Sequence, residues 1–217
     1  MQQKTALILG ASGLTGKHLL ELLLEDPLYR QVTVYVRKPV HISHPKLVQQ
    51  IVDFEKLNTA IDATDVFCCL GTTIKKAGSQ DAFRQVDLVY PQKVAVLQLA
   101  AGSQKFLVIS AVGADANSSI FYSRTKGQLE KALTALGYPC LCIFRPSFIM
   151  GDRAERRVGE KIGIFIAKLI SPLLIGPFKK YQPVSALALA ASMQHAAHHH
   201  TEGLHHISSD EIKKFEY

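Results

Sequence analysis

The chain has 217 residues, enough for one compact domain with its own core, and is 47% hydrophobic and 20% charged with no tryptophan. Its net charge of +7 would suit nucleic acid if the cations gathered on one helix or interleaved with aromatics, and they do neither. They form short clusters instead, Arg37-Lys38, Lys75-Lys76, Arg153 to Arg157 and Lys179-Lys180, which suit a small anionic ligand.

Taken in chain order, Thr5 to Leu9, Val32 to Val36, Leu47 to Val52, Val66 to Leu70, Phe106 to Ile109 and Cys140 to Phe144 are short, continuously apolar runs. Strands buried on both faces of a parallel sheet have that pattern. Helical patterns lie between them at Leu14 to Glu25, Ala82 to Ala101 and Ser123 to Leu136. The alternation predicts an α/β fold, a single Rossmann-type doubly wound parallel sheet. After about residue 146 the rhythm changes. Gly151 to Arg157 is polar and basic, an apolar stripe at helical spacing runs from Ile162 to Leu174, and an Ala/Leu-rich helix is expected from Val184 to Ala197. A last strand is expected at Leu204 to Ser208. With no linker-like break, residues 1–217 read as one domain, with 151–183 as a small substrate-side elaboration or lid.

No run is long enough to cross a membrane, since Ile162 to Ile175 is broken by Lys168 and Pro172. Met1 to Lys4 leads straight into a strand, so no cleavable signal is expected, and the expected location is cytoplasmic. Cys68, Cys69, Cys140 and Cys142 lie in apolar strand-like runs without zinc-site spacing, so reduced core thiols are expected rather than a metal. The histidines from His195 to His206 read as a solvated helix end; His195 and His199 have no intervening Glu of the zinc-helix kind.

The first strand feeds into Gly10-Ala11-Ser12-Gly13-Leu14-Thr15-Gly16-Lys17 and then a helix. Glycines there allow a tight turn, close backbone approach to a pyrophosphate and close helix–strand packing, and the helix N-terminus offers free N–H groups to phosphate. Gly10, Ser12, Gly13, Leu14, Thr15 and Gly16 are therefore the expected dinucleotide loop; the alternative is a plain structural turn. An NAD-type site carries a carboxylate after the second strand, whereas this strand ends in Arg37-Lys38, which would pair with a 2′-phosphate. NADP(H) is the expected cofactor, with Arg37 as a solvated strand end the alternative. Asp53, after the third strand, is placed to approach the adenine end.

Tyr122 and Lys126 stand at i and i+4, on one helix face. Chance alone gives about half such a pair in a chain of this composition, so position is what counts. The pair follows the fifth strand, at the edge where open α/β sheets bind ligands, and Ser110 ends that strand.

The order GxxGxxG, Ser, YxxxK resembles the short-chain dehydrogenase/reductase superfamily. The runs Cys69-Leu70-Gly71-Thr72-Thr73 and Phe144-Arg145-Pro146-Ser147-Phe148-Ile149-Met150-Gly151-Asp152-Arg153 are similar to its atypical subgroup, which includes the Tat-interacting-protein oxidoreductases. The resemblance runs from about Thr5 to Ile212. It implies that Tyr122 is the general acid/base, that Lys126 favours its phenolate and bonds the nicotinamide ribose, and that Ser110 holds the substrate oxygen. It also implies that Gly71 and Thr72, with Arg145 and Pro146, line the dinucleotide. The superfamily's Asn-Ala-Gly after the fourth strand is replaced here by Leu70-Gly71-Thr72-Thr73, and Ser147 stands where many relatives have Gly.

Two functions follow. One is an NADP(H)-dependent oxidoreductase acting on a small carbonyl substrate. The other is a cofactor-binding regulator that passes the redox state of its dinucleotide to a protein partner. Neither needs nucleic acid or membrane insertion, and a monomer or homodimer serves both.

Overall fold

The computed structural model describes residues 3–151 and 182–216. Nine strands occur among them: β1 (Lys4–Leu9), β2 (Tyr29–Val36), β3 (Leu47–Ile51), β4 (Asp65–Cys68), β5 (Lys105–Ile109), β6 (Cys140–Arg145), β7 (Ile149–Met150), β8 (Val184–Ser185) and β9 (Gly203–Ser208). The helices are α1 (Leu14–Glu25), α2 (Ile74–Ala77), α3 (Gln80–Arg84), α4 (Tyr90–Ala100), α5 (Phe121–Ala135), α6 (Ala186–His199) and α7 (Ser209–Lys213). A π turn, Gln85–Val89, joins α3 to α4. The basic Arg153 to Arg157 cluster, the Ile162 to Leu174 stripe and nearly all of the expected lid lie outside the described residues.

Seven strands form one parallel sheet in the order β3-β2-β1-β4-β5-β6-β9, and β7 and β8 pair separately. The expected Rossmann-type architecture is what the chain adopts. The apolar runs are continuous because both faces are covered. Along β1, Ala6 and Ile8 enter one core with Leu19, Leu20 and Leu23 of α1 and Leu189 and Met193 of α6. Leu7 and Leu9 enter the other with Val94 and Ala95 of α4 and Leu129 and Leu133 of α5. Successive strand residues face opposite sides, so an unbroken apolar strand serves two cores at once.

Several elements depart from expectation. The helical run Ala82 to Ala101 contains the π turn. The expected strand Val66 to Leu70 is observed as Asp65–Cys68, with the Cys69 N–H still donating to the Leu9 carbonyl at 2.9 Å. The small β7–β8 pair and α7 have no counterpart in the sequence reading.

Strand order reverses between β1 and β4, so the crevice beyond the carboxyl ends of those strands is where such a sheet takes its ligand.

Candidate functional site

At the end of β1 the chain turns through Gly10 at φ +81°, in the left-handed region, and a Cβ there would sit 2.7 Å from the Cys69 carbonyl oxygen. A Cβ on Gly16 would lie 2.1 Å from the Gly10 carbonyl oxygen, so α1 and the loop close on each other only as glycines. Gly13 caps α1 with no side-chain bond to the helix, and its own N–H donates to Gly10 at 2.9 Å. The N–H groups of Leu14, Thr15 and Gly16 therefore lack an α-helical acceptor and stand with the exposed Ser12 at a positive helix end. That cradle fits a pyrophosphate.

Arg37 and Lys38 are exposed just past β2, whose Tyr35 pairs with Leu9 of β1. Asp53, exposed after β3, accepts the Glu55 N–H at 3.0 Å and lies 3.7 Å from the Lys56 ammonium, so it also builds a turn. Tyr90, stacked on Phe54 with centroids 5.2 Å apart, has its phenol pushed upward by burial and Glu55, with Asp53 adding and Arg37 opposing. This ring therefore senses both Arg37 and Asp53, and nothing in its sequence context pointed to it.

On α5, Tyr122 is 39% exposed, with its ring 5.8 Å from that of Phe83. One turn on, Lys126 is buried, its ammonium 2.8 Å from Oδ1 of the buried Asp87. This contact is an ion pair lying outside hydrogen-bonding angles. Oδ2 of Asp87 accepts the Thr72 N–H at 2.8 Å, and the Lys126 ammonium also reaches the Ile109 carbonyl at 3.4 Å. Burial works against the Lys126 charge, but Asp87 and, more weakly, Tyr122 outweigh it, and its titration is raised. Gly71 and Thr72 are thus joined to Lys126 through Asp87, a residue the sequence reading passed over.

Ser110 is placed differently from the expectation. It is 2% exposed, and its hydroxyl donates to Glu130 Oε1 at 2.5 Å. Arg145 grips the same carboxylate with Nε to Oε1 at 3.1 Å and Nη2 to Oε2 at 2.5 Å, a bidentate pair that raises the titration of Arg145. Among the described residues no hydrogen bond joins Ser110 to Tyr122. Pro146 is buried, and its carbonyl accepts the Val112 N–H at 2.9 Å, which fixes the loop after β5. Glu130 is a second residue missed in sequence; it stands at i+4 from Lys126, and that spacing was the available signal.

Of the cysteines, Cys68, Cys140 and Cys142 are buried and Cys69 half-buried, all with free thiols. Burial pushes the Cys68 thiol up to about 12.

Residues 10–139 match the sequence model of a family described as NAD(P)H-binding. The chain belongs to the NAD(P)H-binding family. It is 42% identical over 167 residues to protein HTATIP2 of Rattus norvegicus, covering 74% of this chain and 69% of that protein. It is 32% identical over 159 residues to the mitochondrial protein FMP52-1 of Scheffersomyces stipitis, covering 69% of each. Among solved structures it is similar to MoeE5 in complex with UDP-glucose and NAD, with a TM-score of 0.69 and 15% identity over 96% of this chain and 79% of that one. It is also similar to the human epimerase family protein SDR39U1 with NADPH, with a TM-score of 0.64 and 18% identity over 95% and 77%. These likenesses give this NAD(P)H-binding chain the Rossmann-like α/β fold of those structures. Among the described residues no helix is long and apolar enough to cross a membrane.

Proposed function

We propose that the chain is an NADP(H)-dependent oxidoreductase acting on a small carbonyl compound. The observation that carries this reading is the buried Lys126 ammonium, fixed on Asp87 one helical turn from the exposed Tyr122, on the strand edge that also carries the glycine loop. Gly10, Ser12, Gly13, Leu14, Thr15 and Gly16 would hold the pyrophosphate, Arg37 and Lys38 the 2′-phosphate, and Asp53 the adenosine end. Gly71, Thr72 and Lys126 would hold the nicotinamide end, with Arg145 and Pro146 shaping the wall beyond β6. A reduced dinucleotide, when bound, supplies the hydride. Tyr122 gives its phenolic proton to the carbonyl oxygen, and the Lys126 charge favours the phenolate left behind. Ser110 acts from behind the site, through Glu130, rather than on the substrate. The whole chain is read as one dinucleotide-binding domain.

The dinucleotide choice rests on two exposed cations, and no carboxylate, immediately after β2. Titration with NADPH and NADH, followed by nicotinamide fluorescence, tests it. Wild type should prefer NADPH by about tenfold or more, and Arg37→Asp should erase the preference. Equal affinities in both proteins would remove the NADP(H) assignment. Tyr122→Phe should keep NADPH affinity and lose turnover about a hundredfold or more in a carbonyl-substrate screen; unchanged turnover would sink the enzyme reading.

The engagement of Ser110 by Glu130 favours a second reading, a non-catalytic NADP(H)-sensing regulator that acts through a protein partner. Capture of a partner by the NADPH-loaded chain and not by the NADP⁺-loaded chain would select it. A cytoplasmic location stands against the mitochondrial names of fungal relatives, and fractionation of the native protein decides between them.

A further inference from the structure

Asp87 lies within the π turn between α3 and α4, and such turns are frequent at functional sites. Its side chain is 1% exposed, and a carboxylate buried so deeply needs strong partners. It has two, from different elements: the Lys126 ammonium of α5 and the Thr72 N–H of the loop after β4, each at 2.8 Å. The loop is packed close, since a Cβ on Gly71 would be 3.5 Å from Oδ1. The neighbouring turn is tied to α5 as well, through the Arg84 guanidinium on the Gln128 side-chain oxygen at 2.7 Å. Around the ammonium stand Asp87, Tyr122, the Cys68 thiol and the Ile109 carbonyl, so Asp87 is the one carboxylate facing it among the described residues.

We propose that Asp87 is a positioning residue: one oxygen holds the Lys126 ammonium one turn from Tyr122, and the other fixes the Thr72 amide. A single buried carboxylate thereby locks the dinucleotide-side loop to the helix of the proton donor. This rests on the reading of Tyr122 as proton donor. It also accounts for a site without the superfamily's Asn-Ala-Gly segment, because the loop is anchored by the Thr72 N–H on the Asp87 carboxylate instead.

The test needs no substrate. Lysine ¹³Cε resonances are followed through a pH titration of the full chain, with Lys126 assigned from Lys126→Arg. In wild type the Lys126 midpoint should lie above the ordinary lysine value of about 10.4. In Asp87→Asn, whose amide oxygen can still accept the Thr72 N–H, it should fall by about one pH unit or more while NADPH affinity stays within about threefold. Asp87→Ala should show the same fall and also weaken NADPH about fivefold or more. A folded Asp87→Asn whose Lys126 midpoint moves by less than about a third of a pH unit overturns the proposal. If that variant does not fold, a wild-type midpoint below the ordinary value overturns it unaided. Failure of the enzyme reading would appear separately, as unchanged turnover in Tyr122→Phe with the Lys126 shift intact.

Discussion

Two buried carboxylates each face a lysine, Asp65 at the amino edge of the sheet and Asp87, in the π turn, beside its carboxyl edge. At the amino edge Asp65 lies 3.0 Å from the Lys4 ammonium and accepts the buried Tyr29 hydroxyl at 2.6 Å. Lys4 and Lys105 both donate to the Ala197 carbonyl, at 3.1 and 2.6 Å, in the last turn of α6, where the helix end is partly negative. The helix end thus takes up both ammonium groups, with Lys105 buried and Lys4 half-buried. At the carboxyl edge the Asp87–Lys126 pair stands beside an exposed phenol, on the sheet edge that also carries the N-terminus of α1, which no side chain caps. The same pairing joins packed elements at one end and borders the candidate site at the other. What surrounds a buried ion pair, more than the pair itself, tells structure from chemistry.

The largest expected effect breaks the amino-edge pair. Asp65→Asn would leave the buried Tyr29 hydroxyl and the half-buried Lys4 ammonium without their anion, which should cost about 1 to 3 kcal/mol. Denaturant unfolding should show that loss, while the NADPH affinity of the folded fraction stays unchanged. A weakened affinity in the folded protein would mean that the two edges are coupled and the comparison fails.

The parts of the site legible in sequence are those whose logic is local. Gly10, Gly13 and Gly16 lie within one turn and the start of one helix, and Tyr122 and Lys126 share one helix face. Asp87 was illegible because its partners, Thr72 and Lys126, come from segments far along the chain, and because the π turn that aims it inward reads as continuous helix. Glu130 offered only its i+4 spacing from Lys126, and its partners were illegible, since Arg145 and Ser110 meet it only once β5 and β6 are side by side. Ser110 shows the converse. The resemblance implies that Ser110, just past β5, holds the substrate oxygen, whereas its hydroxyl donates to Glu130. Sequence placed it at the right strand end and could not give its direction.

A smaller effect sharpens the comparison at the carboxyl edge. Ser110→Ala removes a donor from Glu130 but leaves both Arg145 contacts, so the stability loss should be about 1 kcal/mol by thermal or denaturant unfolding. If Ser110 acts from behind the site, turnover should change by no more than about threefold. A hundredfold fall with that modest loss of stability would return Ser110 to the substrate.

The smallest effect concerns the histidines beyond the amino edge, read in sequence as a solvated helix end. They form two stacked pairs, His195 with His199 and His200 with His205, each with ring centroids 3.9 Å apart. Nearby, His198 lies 2.7 Å from the buried Asp26. Burial lowers the titration of His195, with His199 and His198 adding, and burial lowers that of His200, with His205, His195, Lys105 and His199 adding. A histidine whose folded value is depressed takes its proton first in the unfolded chain, so folding is favoured above the unfolded value of about 6.5 and weakened as pH falls through the lower folded values. The thermal midpoint should therefore drop between about pH 7 and pH 5.5, before most carboxylates titrate. His200→Asn should flatten that slope, because it removes one ring of a stacked pair and a charge that would face Lys105. An unchanged slope in the variant would show that the stacked rings hold apart without electrostatic cost, and that the polar cluster at this edge is insulated from pH.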